Sequence, residues 1–97
     1  MFHYVVLFRL QEGVTLERVR AARESLAALV ETLPGVHEFA VTDNLAEQNR
    51  GYTLVLFSLF DDRSAYEIFR RHPEYHRVVE LLEPIIAERI VAEGDVR

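Results

Sequence analysis

Apolar residues fall along this chain in two kinds of pattern. Phe2-His3-Tyr4-Val5-Val6-Leu7-Phe8-Arg9-Leu10 is β-branched and aromatic in both alternating registers, and Gln11-Glu12-Gly13 interrupts it, which predicts a strand beginning almost at residue 1. From Thr15 the period changes. Leu16, Val19, Ala22, Leu26, Leu29, Val30 and Leu33 recur at helical spacing, with Thr15 as N-cap and Glu17 in the first turn. Arg20 and Glu24 lie on the opposite, solvated face, and Pro34-Gly35 supplies the stop. Val36 to about Thr42 reads as a strand of mixed polarity, and Asp43 to Arg50 as a polar loop. Tyr52 to Phe60 is again apolar in both registers, so both of its faces need cover. Asp61-Asp62 can cap a short helix through Arg71 with Ala65, Ile68 and Phe69 turned inward. His72 precedes a proline and so avoids the α region, while Pro73 suits the first position of a further helix with Tyr75, Val78, Val79 and Leu82 on its apolar face. Pro84 ends that helix, and Ile85 to Ala92 reads as a last strand.

The order β-α-β-β-α-α-β folds most simply into a ferredoxin-like α+β domain, a four-stranded antiparallel sheet with its helices on one face. There is no linker, repeat or low-complexity tract, so residues 1–97 are expected to form a single domain. The helices can cover one side of the sheet only. The other side would carry Phe2, Tyr4, Val6, Phe8 and Leu10, or else the alternate set, together with half of the third strand. An apolar patch of that size is an association surface, and two copies packed sheet against sheet, a homodimeric α+β barrel, is the economical answer.

Composition narrows the chemistry. The chain has no Cys, which excludes disulfides, thiolate nucleophiles and cysteine metal sites, and no Lys, which excludes Schiff bases and anchored pyridoxal phosphate. Its four glycines are too scattered for a phosphate-binding loop, so no cofactor is expected. The net charge of −5, with arginines interspersed among carboxylates, argues against nucleic acid. No apolar stretch approaches the ~20 residues that span a bilayer, and no signal-peptide pattern opens the chain, so a cytoplasmic protein without membrane contact is expected.

His3-Tyr4-Val5-Val6-Leu7-Phe8-Arg9, Pro34-Gly35, Asn49-Arg50-Gly51-Tyr52-Thr53-Leu54-Val55-Leu56 and His72-Pro73-Glu74-Tyr75, in that order over almost the whole chain, resemble the stress-responsive A/B barrel (Dabb) family. The resemblance implies the dimeric barrel. On function it implies less, since the family includes stress-induced proteins without a settled activity and a plant polyketide cyclase that closes a ring by an intramolecular aldol reaction without a cofactor. His3 matches the family's first-strand histidine and His72-Pro73 its His-Pro pair. The cyclase has histidines where this chain has Leu54 and Tyr75, and a tyrosine where it has Phe69, so the cyclase reaction itself lacks several of its groups here.

The candidate site is therefore a pocket between helices and sheet, with His3, Tyr75 and His72 as acid-base groups and Leu54 and Phe69 making the lining apolar. Each has a plainer role: His3 satisfied by a backbone carbonyl, His72 capping a helix, Tyr75 making a structural hydrogen bond. His72 and His76 are four apart, but Pro73 places His72 at or before the helix start, so their rings need not converge and no metal is expected, and His76 is expected to pair with Glu80. Tyr4 and Tyr66 are pocket or interface aromatics on weaker grounds, and Arg9 can hold a carboxylate or simply reach water. Two functions compete: cofactor-independent acid-base chemistry on a carbonyl or polyketide-like compound, and a non-catalytic, stress-associated dimer that holds a small apolar or aromatic ligand. A cofactorless monooxygenase is weakened by the absence of Trp and of any redox group.

Overall fold

The computed structural model describes residues 1–96. Its elements run β1 (Phe2–Leu10), α1 (Leu16–Val30), β2 (Val36–Asp43), β3 (Tyr52–Phe60), α2 (Arg63–Arg71), α3 (Pro73–Leu82), a 3-10 turn (Glu83–Ile85) and β4 (Ile86–Asp95), the expected α+β order. All pairings are antiparallel and the sheet order is β2-β3-β1-β4. The strands apolar in both registers, β1 and β3, are thus the central pair, and the mixed strands are the edges.

Local chemistry accounts for the boundaries. Thr15 caps α1 by accepting from the Arg18 amide at 3.3 Å, and Asp62 caps α2 by accepting from the Ala65 amide at 2.9 Å. The helical hydrogen bonds of α1 give way to tight turns after Val30, with the Leu33 amide bonding to the Val30 carbonyl, so Leu33 packs on the core from outside the helix. Gly35 follows at φ +80°, and a Cβ there would stand 2.9 Å from that of Ala65, so both its backbone angle and its neighbour demand glycine. β4 runs three residues beyond the expected end at Ala92. No helix among the described residues is long and apolar enough to cross a membrane.

The pleat decides which register faces the helices. Phe2, Val6 and Phe8 of β1 and Leu54, Leu56, Ser58 and Phe60 of β3 are buried beneath the helical layer, packed with Leu26 and Leu29 of α1, Phe69 of α2 and Val78 and Leu82 of α3. On α2 the inward residue is Tyr66 and not Ile68, which is 61% exposed: with Phe69 buried, its neighbour three back shares the face and its immediate neighbour does not.

The alternate register faces away. Val5 and Leu7 of β1 pair across to Phe57 and Val55 of β3 and to Ala92 and Ile90 of β4, and Ala40 of β2 lies beside Phe57. No helix among the described residues covers this face. One end of it carries charge, where Arg9 pairs with Glu88 and the Tyr52 hydroxyl donates to Glu88 Oε2 at 2.9 Å. Of the two sets left open by the sequence, the uncovered one is the odd-numbered set.

Candidate functional site

The helices do not reach the outer edge of the sheet on their own side. Val6 is 2% exposed, whereas Val91, its partner on β4, is 47% exposed. The gap between α2, α3 and β4 is a cleft of about 570 Å³, lined by Tyr4, Tyr66, Arg70, Tyr75, His76, Val79, Arg89, Val91 and Glu93. β4 supplies its floor at every second residue: Arg89, Val91 and Glu93 point to the helical side. A narrow apolar extension continues past Tyr75 toward Leu26, Leu56 and Leu82.

Three tyrosines meet here because an aromatic layer backs them. Tyr66 stacks on Phe2 and lies against Tyr4, both with ring centroids at 5.0 Å, and Tyr75 rests on Phe69 at 4.6 Å. The Tyr66 hydroxyl donates to Glu93 Oε2 at 2.9 Å. Burial pushes the Tyr75 phenol well above its ordinary 10.0, and the neighbouring Tyr4 hydroxyl adds to the effect. Burial followed by the Glu93 hydrogen bond raises Tyr66 in the same direction. Both are therefore neutral donors at physiological pH. The charges lie apart: Glu93 sits at one end beside Tyr66, while Arg89, paired with Glu83, lies four residues back along β4. Arg70, one helical turn beyond Tyr66, makes no ion pair among the described residues.

The candidates read from the sequence separate. Tyr75 lines the cleft. Phe69 is fully buried behind it as a packing surface. Leu54 lies toward the other end of the layer, with Leu10, Val19 and Arg23 around a smaller groove of about 290 Å³. His72 joins two helices, closing α2 and capping α3, and its Nδ1 accepts from the Glu74 amide at 3.1 Å. His76 stands at the cleft, its ring 6.2 Å from that of Tyr75, and the expected pair with Glu80 is not among the ion pairs of the described residues. The expectation for His3 needs correction. Its partners across the strands are Leu59 and Gly94, and a Cβ at Gly94 would lie 3.5 Å from its Cε1, so it belongs to the uncovered face and not to the space beneath the helices. The residue that β1 sends into the cleft is its neighbour Tyr4, because successive side chains on a strand point oppositely.

Arg70, Arg89, Val91 and Glu93 were not singled out by sequence as site residues, and Tyr66 was read only as a pocket or interface aromatic. Their signals are faint but present: Tyr66 lies three before buried Phe69, and Arg89-Val91-Glu93 alternates about an apolar residue on a strand that runs past Ala92.

A family model described as the stress responsive A/B barrel domain matches residues 2–96. No curated protein sequence matches the chain significantly. Among solved structures, a dimeric ferredoxin-like protein of unknown function from Thermobifida fusca superposes with a TM-score of 0.86 at 19% identity, covering 98% of this chain and 90% of that one. The Arabidopsis thaliana protein At3g17210 gives 0.89 at 18% identity, over 100% and 96%. The hydroxynitrile lyase of Passiflora edulis gives 0.89 at 14% identity, over 99% and 93%. At such identities these likenesses establish the shared fold.

Proposed function

The chain belongs to the stress-responsive A/B barrel family, and from that premise we propose that it is a homodimer whose cleft beside β4 binds a small carbonyl compound and moves a proton on it without a cofactor. The observation that carries this is the convergence of Tyr4, Tyr66 and Tyr75, two of them held protonated by burial, on one open cleft that also contains a carboxylate. The Tyr75 hydroxyl donates to the carbonyl oxygen. Glu93, oriented by Tyr66, takes a proton from the carbon next to that carbonyl, and the electron pair moves onto the oxygen, where Tyr75 and Tyr4 stabilise the enolate. His76 at the rim is placed to exchange protons with water. His3 takes no part, and His72 acts through the position of α3. The Thermobifida fusca relative is dimeric and the Passiflora edulis relative is a lyase, which supports both halves of the reading.

Incubation of 2-acetonaphthone with the protein in deuterated buffer tests it, because enolisation replaces the methyl protons by deuterium and the methyl signal disappears. The wild type should accelerate this loss, and Tyr75→Phe and Glu93→Gln should each lower the rate at least about tenfold with the fold intact. Binding of the ketone without exchange would turn the reading to the non-catalytic alternative, a dimer that holds an aromatic ligand.

A further inference from the structure

The sheet face that the helices leave bare has two unlike ends. At one, Arg9 pairs with Glu88 and the Tyr52 hydroxyl donates to the same carboxylate. At the other stands His3, in one row with Leu59 of β3 and Gly94 of β4. A Cβ at Gly94 would lie 3.5 Å from His3 Cε1 and 3.9 Å from its Nε2, so the ring leans over the glycine, which leaves room for it. His37 and His72 make side-chain hydrogen bonds, whereas His3 makes neither a hydrogen bond nor an ion pair among the described residues. The charges around it are distant, engaged or turned away. Glu38 of β2 shares the row but stands two strands off, about 10 Å, on the side opposite Gly94. Asp61, just beyond β3, is taken by His37. Glu93 and Asp95 of β4 pair in register with Tyr4 and Phe2, so both point to the helical side. On β1 itself the charges are the Met1 amino group and, about 20 Å along, Arg9.

We propose that His3 makes assembly of this chain depend on pH: its protonation below neutrality weakens the homodimer. The inference rests on the homodimer proposed above and adds its regulation. A histidine side chain takes up its proton between about pH 7 and 5.5. In the single chain His3 is half-buried, and water solvates the added charge. Between two apolar sheets the same charge loses that water, and its surroundings become Val5, Leu59, Gly94 and a second face of the same make-up. Glu88 offers no compensation, since Arg9 and Tyr52 already hold it. A charge buried without a partner keeps its desolvation cost. A proton accepted by the free chain and refused by the dimer draws the equilibrium toward the free chain as pH falls, so association is strongest at and above neutrality and weakens below it. Each dimer holds two such groups, which steepens the response.

The test is sedimentation equilibrium of the full chain at pH 7.5 and pH 5.5, with circular dichroism at both values to follow the fold. The dimer Kd of the wild type should rise between about tenfold and a hundredfold on acidification, the upper value corresponding to two protons taken up per dimer dissociated. His3→Gln and His3→Phe, which carry no charge at either pH, should each change by less than about twofold. His37→Gln removes the other histidine at that end of the sheet, whose ring Asp61 engages, and should keep the full response. A wild-type Kd that acid leaves unchanged or lowers overturns the inference, the lowering being what a carboxylate of the partner set against His3 would produce. So does a response that persists in both His3 variants. A dimer equally firm at both pH values removes this inference alone, whereas a single chain at pH 7.5 removes the homodimer with it.

Discussion

At the scale of single residues, the protein's most consequential choice is to bury phenols where a site of this shape could have held imidazoles. The Tyr66 and Tyr75 hydroxyls sit among aromatic rings with few polar partners, so their ionised forms are disfavoured in the folded chain. A folded-state pKa above the unfolded value of 10.0 means that the unfolded chain loses these protons first as pH rises. Their contribution to stability is complete below about pH 10 and falls progressively above it. Thermal melts from about pH 9 to about pH 11.5 should therefore show a declining midpoint, and Tyr75→Phe should decline less steeply. Phenolate absorbance recorded on the same samples should rise for Tyr66 and Tyr75 only as the fold is lost. The same scale explains why His3 misleads as a sequence signal: a titratable residue in an apolar strand attracts notice, yet one step along a strand exchanges the faces, and Tyr4 holds the position that matters.

Elements were legible in proportion to how completely one physical cue determined them. Caps and prolines marked the helices well: Thr15, Asp62 and Pro73 stand where a side-chain acceptor or a missing amide is required. The β-α-β-β-α-α-β order also follows from pattern alone, as does an apolar sheet face that the helices leave bare. What pattern could not supply was the facing of β1 and β3, since a strand apolar in both registers looks the same from either side until the helices are in place. The inward side of α2 was obscured for a related reason: a nine-residue helix is short enough that Ile68 and Tyr66 compete for one stripe, and packing against Phe2 and Phe60 favours the tyrosine. Because α2 carries both Tyr66 and Arg70, its cap bears on the site. Asp62→Ala should cost about 1 kcal/mol, readable as a lower denaturant midpoint at unchanged slope.

For the molecule as a whole, the uncovered face of the sheet sets the terms of assembly. Val5, Leu7, Val55, Phe57, Leu59 and Ile90 present a continuous apolar surface with Arg9 and Glu88 at one end, a surface that a second copy can cover with the same surface of its own. Phe57, 37% exposed in the single chain, is the place to test this. Sedimentation of the wild type at micromolar concentration should give twice the chain mass, and Phe57→Asp should give a folded monomer, because a lone carboxylate buried between two sheets has no partner. Val6→Asp is the uninformative choice, since Val6 belongs to the core beneath the helices and its replacement would unfold the chain in any assembly. The partition between the faces reaches further. β1 is a single layer of backbone with Tyr4 and Val6 on one side and Val5 and Leu7 on the other, so adjacent codons answer to different demands. A lineage can revise what the cleft accepts through the even positions of β1 while the odd positions hold the outer surface constant, and the two properties are free to diverge at separate rates within one nine-residue segment.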